Sequence, residues 1–258
     1  MDLQLTGKTA IVTGGSAGIG LAIVKALAAE GVAVTVPGRT QTKLTQALAG
    51  IPGVVSVVAD VATAEGAATL LQQVPDTDIL INNLGIYEPK EFVDITDADW
   101  LRLFETNVLS GVRLSRHYFP GMLKRNDGRI IFISSESGVM TPAEMIHYGV
   151  TKSSQLAISR GLAELTKGTA VTVNTVMPGP TRSEGIVEFL EKISSIPNPT
   201  PEQAEREFFE KHRSSSLLQR LIESPEIANL VTFLASPLSS ATNGAALRAE
   251  GGLLRSIV

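Results

Sequence analysis

The sequence predicts an α/β fold: one open, doubly wound, seven-stranded and mostly parallel sheet with helices on both faces. Three observations predict it. Short β-branched runs alternate with segments of helical length along most of the chain. Most of these runs are apolar on both parities, as strands covered on two faces require. A glycine-rich turn joins the first run to the first helical segment, the usual opening of a βαβ unit. The strand-like runs fall at residues 9–13, 32–36, 54–59, 79–82, 129–134 and 170–176, with a weak seventh at 245–248. Pro37 has no N–H to give a ladder, so it is expected to mark the end of the second strand.

No repeat, low-complexity tract or Gly/Ser-rich linker interrupts the 258 residues, so residues 1–258 read as a single domain. Hydrophobic residues make up 43% and charged residues 19%, a globular balance. Lys and Arg number 22 against 26 Asp and Glu, a net charge of −4 with no long basic run. That argues against a nucleic-acid or anionic-membrane surface. The absence of cysteine excludes disulfides, Cys-ligated zinc, iron–sulfur clusters and a thiol nucleophile. Three histidines with no His-x-x-x-His pair argue against a histidine-rich metal site. The first residues lack the pattern of a signal peptide, and no apolar stretch reaches the ~20 residues needed to cross a bilayer. A cytoplasmic protein is expected.

Two late helices are clearly marked. Ser224-Pro225-Glu226 offers an N-cap, a proline at the first helical position and an acid in the first turn. Ile227, Leu230, Val231 and Leu234 then form an apolar stripe. Thr200-Pro201-Glu202-Gln203 has the pattern of a capping box. That second helix lies in an extra segment at about 184–221, between the sixth and seventh strands. An insertion after a strand's carboxyl end sits at the ligand edge of such a sheet. It is read either as a lid or as a static excursion.

The turn reads Gly14-Gly15-Ser16-Ala17-Gly18-Ile19-Gly20 and opens directly into a helical run. Backbone N–H groups and the positive helix end can then approach a pyrophosphate closely. Gly14, Ser16, Gly18, Ile19 and Gly20 are therefore candidate dinucleotide contacts. The end of the second strand, Pro37-Gly38-Arg39-Thr40, carries no acid for a free ribose 2′-OH. Arg39 is placed to pair with a 2′-phosphate, which favours NADP(H), with NAD(H) as the alternative.

Tyr148 and Lys152 stand four residues apart, on one face of a helix. A free phenol, with a pKa of about 10, is a poor acid–base catalyst near neutrality. A neighbouring ammonium is expected to lower that value and let the pair exchange a proton with a carbonyl or alcohol oxygen.

With these residues in place, the chain resembles the short-chain dehydrogenase/reductase family, of Rossmann type, over nearly its whole length. Thr13-Gly14-Gly15-Ser16-Ala17-Gly18-Ile19-Gly20 is similar to the family's T-G-x-x-x-G-x-G. Asp60-Val61 resembles the acid after the third strand, which contacts adenine in relatives. Asn82-Asn83-Leu84-Gly85 resembles N-N-A-G, with leucine replacing alanine. Asn107 resembles the helical asparagine of a catalytic tetrad, and Ser135, thirteen residues before Tyr148, falls at the catalytic serine. Pro178 and Gly179 open the turn after the sixth strand, with Thr181 and Ser183 near the carboxamide end of the nicotinamide. Ala17 departs from the basic residue that many NADP-using relatives carry.

The resemblance implies hydride transfer between NADP(H) and a small-molecule carbonyl or secondary alcohol. Tyr148 would carry the proton, Ser135 would grip the reacting oxygen, and Lys152 would hold the nicotinamide ribose. Asn107 would anchor a water linking Lys152 to solvent. Asp60, Val61, Asn83 and Gly85 would complete the cofactor site. A homotetramer or homodimer is implied as well. Two alternatives stay open. One is reduction of a 3-oxoacyl thioester on a carrier protein, for which Arg113, Arg116, Lys124, Arg125 and Arg129 are the candidate docking cations. The other is a dinucleotide sensor without catalysis. Glu136, Ser137, Met140, His147, Phe208 and Phe209 are pocket neighbours or, more simply, structural residues.

Overall fold

The computed structural model describes residues 1–257, with Glu184 described by its backbone alone. Seven strands form one sheet: β1 (Thr9–Val12), β2 (Ala33–Gly38), β3 (Val54–Val58), β4 (Ile79–Asn82), β5 (Arg129–Ile133), β6 (Thr172–Pro178) and β7 (Ala246–Ala249). Their order is β3-β2-β1-β4-β5-β6-β7, and every pairing is parallel. The order reverses between β1 and β4, which opens a crevice at the carboxyl ends of those strands.

Alternation along each strand explains why both parities are apolar. Ala10, Val12, Ile79, Ile81, Ile131 and Ile133 face one core, with α1 (Gly18–Ala29) and α9 (Ser224–Ala235) above it. Ile11, Leu80, Ile130 and Phe132 face a second core on the other side. There α3 (Ala64–Gln73), α5 (Ser110–Arg125) and α6 (Ile146–Glu164) contribute Leu70, Leu114, Tyr118, Met122 and Ala163. Two shorter helices, α2 (Gln41–Leu48) and α4 (Asp97–Phe104), complete the layers. No described helix is long and apolar enough to cross a membrane.

Two local expectations shift by one residue. β2 runs past Pro37 to Gly38, and Pro37 pairs with Val57. Odd-numbered N–H groups of β2 point toward β1, as Ala33 donates to Lys8 O at 2.9 Å. The β1 pairing stops at Thr35, so the N–H that Pro37 lacks has no ladder to serve. At α9, Ser224 is the first helical residue rather than the N-cap; Glu223 holds that place, and its N–H donates to Glu226 at 2.8 Å. Thr200 caps the insertion helix in a capping box with Gln203, as its sequence predicts.

The insertion forms two helices, α7 (Glu184–Ile193) and α8 (Pro201–Lys211), with a small core of its own from Leu190, Ala204, Phe208, Phe209 and Leu221. Buried Glu207 binds the link between them. It accepts the Ser195 N–H at 3.1 Å, both hydroxyls of Ser194 and Ser195, and Lys211 Nζ at 2.6 Å. These donors, Lys211 foremost, hold its carboxyl at about 2, below the usual carboxylate range. The two ends of the insertion meet at its base, where Arg182 N–H donates to Ile222 O at 2.8 Å and Ile222 N–H to Pro180 O at 2.9 Å.

The helix α1 can approach β1 only because Gly20 has no side chain. A Cβ there would stand 2.2 Å from Gly14 O and 2.6 Å from Asn83 Nδ2. Gly20→Ala should therefore cost about 1–3 kcal/mol through overpacking, lowering the thermal midpoint by several degrees in a calorimetric melt.

Candidate active site

The crevice is built around a clamp at the end of β1. Thr13 Oγ1 donates to Ile81 O at 3.2 Å and accepts the N–H groups of Asn83 and Leu84, each at 2.9 Å. Asn83 Nδ2 returns a bond to Thr13 O at 2.9 Å and reaches Gly14 O at 3.3 Å. Asn83 thus fixes the glycine-rich turn from the neighbouring strand. Gly14 and Gly18 take φ of +64° and +49°, the left-handed region that a side chain disfavours.

The residues present fit a pyrophosphate. Ala17 caps α1 without a side-chain bond, so the first-turn N–H groups remain for a ligand. A Cβ at Gly18 would meet nothing nearer than Ser183 Cβ at 4.0 Å, which marks open space above the turn. Ser16 and Ile19 lie on the same turn, half-buried. Gly20 differs from its neighbours, because its missing side chain serves packing on Gly14. Arg39 is exposed one residue beyond β2. Asp60 follows β3 and accepts Ala62 N–H at 3.2 Å. Val61 is buried in the second core, so only its backbone can face a ligand. Gly85 borders the crevice floor: a Cβ there would come 3.4 Å from Lys152 Nζ.

On the other side of the crevice stand Ser135, Tyr148 and Lys152. Ser135 follows β5 and caps a short 3-10 turn over Glu136–Gly138. Gly138 lets that turn lie against α6, since a Cβ would sit 2.9 Å from the Lys152 carbonyl carbon. Ser134 Oγ donates to Lys152 O at 2.8 Å, which makes it a tie between strand and helix. Lys152 is buried; its Nζ donates to Ile133 O at 2.9 Å and Gln155 Oε1 at 3.2 Å, and lies 5.6 Å from the Tyr148 ring centroid. Desolvation pulls its pKa down to about 8 against the opposing effect of Glu136.

The phenol departs from expectation. Burial, then the charge of Glu136, pushes Tyr148 above its ordinary value, and a hydrogen-bonding interaction with Ser135 pulls it only part of the way back. Lys152 does not reverse this, since its amine is itself desolvated and directed to Ile133 and Gln155. Tyr148 therefore holds its proton through the neutral range.

Asn107 sits in a π-helical turn, Glu105–Leu109, between α4 and α5. Its amide is held by protein: Oδ1 accepts Ile86 N–H at 2.8 Å, and Nδ2 donates to Ile86 O at 2.9 Å and Thr151 Oγ1 at 3.0 Å. The Asn107 carbonyl accepts Gln155 Nε2 at 2.6 Å. The Gln155 side chain thus bridges the Asn107 carbonyl and Lys152 Nζ. Sequence reasoning missed Gln155, although its spacing of three from Lys152 puts it on the same helical face.

Pro178 ends β6 in register with Ala249 of β7, and Gly179 N–H donates to Ala249 O at 3.2 Å. Thr181 Oγ1 donates to Gly179 O at 2.8 Å, and Ser183 accepts Ile186 N–H at 3.4 Å as the cap of α7. Ser183 thus lies over the glycine-rich turn. Tyr87, also missed, stands between the insertion and the phenol. Its ring lies edge-on to Tyr148 at 6.1 Å, and its hydroxyl is 3.3 Å from where a Gly185 Cβ would be. Arg213, just past α8, bears electrostatically on Glu136. Glu136 is buried beside Ser135 and Ser137, inside the site. His147 is buried against Trp100 instead, and Phe208 and Phe209 fill the core of the insertion.

The chain is similar to known proteins over its full length. The family model for short chain dehydrogenase matches residues 8–193. The chain is 51% identical, over the full length of both, to the uncharacterized oxidoreductase YvaG of Bacillus subtilis. It is 32% identical to the 3-oxoacyl-[acyl-carrier-protein] reductase FabG of Escherichia coli, covering 97% of this chain and 99% of that one. The crystal structure of L-sorbose reductase from Gluconobacter frateurii, complexed with NADPH and L-sorbose, superposes with a TM-score of 0.92 at 28% identity, over 100% of both chains. A parallel sheet with its order reversed at a glycine-rich turn, a Ser, Tyr and Lys gathered at its carboxyl edge, and full-length relatives of one kind lead to one conclusion: the chain belongs to the short-chain dehydrogenase/reductase family, as an NAD(P)-dependent oxidoreductase acting on CH–OH or C=O groups.

Proposed function

We propose that the protein is a carbonyl reductase that uses NADPH to reduce a small ketone to a secondary alcohol. The observation that carries this reading is the gathering of a half-buried Tyr148 beside the Ser135 hydroxyl, with Lys152 Nζ 5.6 Å from the phenol ring centroid, at the carboxyl edge of the sheet. A phenol that keeps its proton is a donor, which suits the developing alkoxide of a reduction. When bound, the nicotinamide supplies the hydride to the carbonyl carbon. Tyr148 gives its proton to the oxygen, and Ser135 donates a hydrogen bond to that oxygen as negative charge builds. Lys152, reached from the crevice past Gly85, holds the nicotinamide ribose, while Asn107 and Gln155 fix the amine from behind. Gly14, Ser16, Gly18 and Ile19 offer backbone to the pyrophosphate. Asp60, the Val61 backbone and Asn83 border the adenine side, and Pro178, Gly179, Thr181 and Ser183 the carboxamide side. The insertion over the crevice acts as the substrate-side wall of a single domain.

Arg39 supports NADP(H) over NAD(H), since an exposed guanidinium just past β2 can pair with a 2′-phosphate. Two of the cations considered for carrier docking, Arg125 and Arg129, are engaged elsewhere. Arg125 binds Asp76 at 2.6 Å, and Arg129 is buried at the amino end of β5. A free small molecule therefore fits better than a carrier-bound thioester. Exposed Phe92, Val93, Leu101 and Phe104 lie on or beside α4, an apolar patch that supports a homodimer or homotetramer. The setting we propose is the cytoplasm.

Tyr148→Phe should abolish NADPH-dependent reduction across a ketone panel, with the cofactor dissociation constant changed by less than about tenfold. Full retention of turnover would refute the proton-donor role. Arg39→Asp should lower NADPH affinity by about 10- to 100-fold while leaving NADH affinity equal or improved. Fluorescence titration of both reduced cofactors measures this, and an unchanged ratio would refute the 2′-phosphate contact.

A further inference from the structure

Glu136 is a carboxyl with almost no exposure, placed directly after the serine that faces the crevice. Ser135 Oγ donates to Glu136 Oε2 and accepts Ser137 N–H at 3.1 Å. A hydroxyl has one proton and two lone pairs. With the carboxylate ionised, Ser135's proton is committed to Glu136, and its oxygen can meet a ligand only as an acceptor. A carbonyl oxygen becoming an alkoxide needs a donor. The arrangement as it stands is therefore the wrong one for the reducing transition state.

One protonation reverses it. If Glu136 takes a proton from solvent, its O–H donates to one lone pair of Ser135 while Ser137 N–H keeps the other. Ser135's own proton is then released toward the crevice. We propose that Glu136 is a positioning residue whose protonation turns the Ser135 hydroxyl from an acceptor into a donor for the reacting oxygen, so that the enzyme reduces with Glu136 neutral. The inference rests on Ser135 as the group that holds that oxygen.

Burial favours the neutral form, against the donors and cations around the carboxyl. Glu136 is faced by Ser135 and Ser137 on its own turn, by Tyr148 and Lys152 on α6, and by Arg213 beyond α8. Burial is the dominant influence and raises its carboxyl, with Ser135 and Arg213 opposing. Arg213 is itself shared with Glu144, 3.4 Å away. A raised carboxyl stays protonated below its shifted value and ionises as pH climbs through it. Reduction should accordingly run at a plateau in acid and fall about tenfold per pH unit above that point.

Two measurements test this. The first is the pH profile of kcat/KM for NADPH-dependent reduction of ethyl acetoacetate by the intact enzyme and by Glu136→Gln. The glutamine amide can donate to Ser135 at every pH, so the falling limb should vanish or move upward, leaving E136Q at least tenfold faster than wild type at the alkaline end. A limb at the same pH in both proteins overturns the proposal. The second needs no turnover: infrared difference spectra of the protein alone during pH titration. One protonated-carboxyl component should appear at a pH above that of the ordinary carboxylates, be missing from the E136Q spectrum, and shift in Ser135→Ala. No such band in the folded wild type, or one indifferent to Ser135→Ala, overturns the proposal even if E136Q fails to fold. If wild type reduces nothing while the band behaves as described, the reading of the enzyme fails, and what is left is the Glu136–Ser135 proton exchange with no part in reduction.

Discussion

A primary amine drawn out of water at the carboxyl end of the sheet must find oxygens, and the placement of those oxygens organises the crevice. Burying a charge without partners costs several kcal/mol, so Lys152 constrains every element around it. Ile133 supplies a carbonyl at the end of β5, and Gln155 supplies another oxygen from the next turn of α6. Gln155 in turn needs an acceptor for its amide, which the π-helical turn provides by presenting the Asn107 carbonyl. Asn107 then closes on Ile86 and Thr151. One ammonium thus couples the strand end, the helix and the loop after β4.

The groups near Tyr148 divide by charge. Lys152 is directed backward into carbonyls and loses basicity to desolvation, while Glu136 lies forward beside Ser135. The phenol accordingly feels burial and a carboxyl more than it feels the amine. Helical spacing of four brings Tyr148 and Lys152 onto one face, but it does not say where the long lysine chain ends. The sequence-based expectation of an acidified phenol is opposed here, since burial and then the Glu136 carboxyl push it upward.

Much of the architecture was legible from pattern alone. The strands were readable because each is covered on both faces and is therefore apolar at both parities, and the turn because its glycines recur at a spacing few other structures need. Strand ends were less legible. Pro37 stays inside β2 because its neighbour strand has already stopped, a fact of register that no local rule contains. The cap of α9 slipped to Glu223 because Glu226 reaches back to its N–H. Within the crevice, Ser135, Tyr148, Lys152 and Asn107 came from motif, whereas Gln155, Tyr87 and the burial of Glu136 came only from packing. The same packing showed that Gly20 and Asn83 shape the turn by contact with its own backbone.

The insertion after β6 carries its own small core, has its helix-to-helix link bound around Glu207, and enters and leaves through adjacent residues paired at Arg182 and Ile222. That paired neck does not isolate it: Leu217 N–H donates to Gly251 O at 2.8 Å beyond β7, and Arg213 bears on Glu136 beside the site serine. A change of shape in the insertion is therefore transmitted to the residue next to Ser135. In such a scaffold, selectivity and catalysis evolve together.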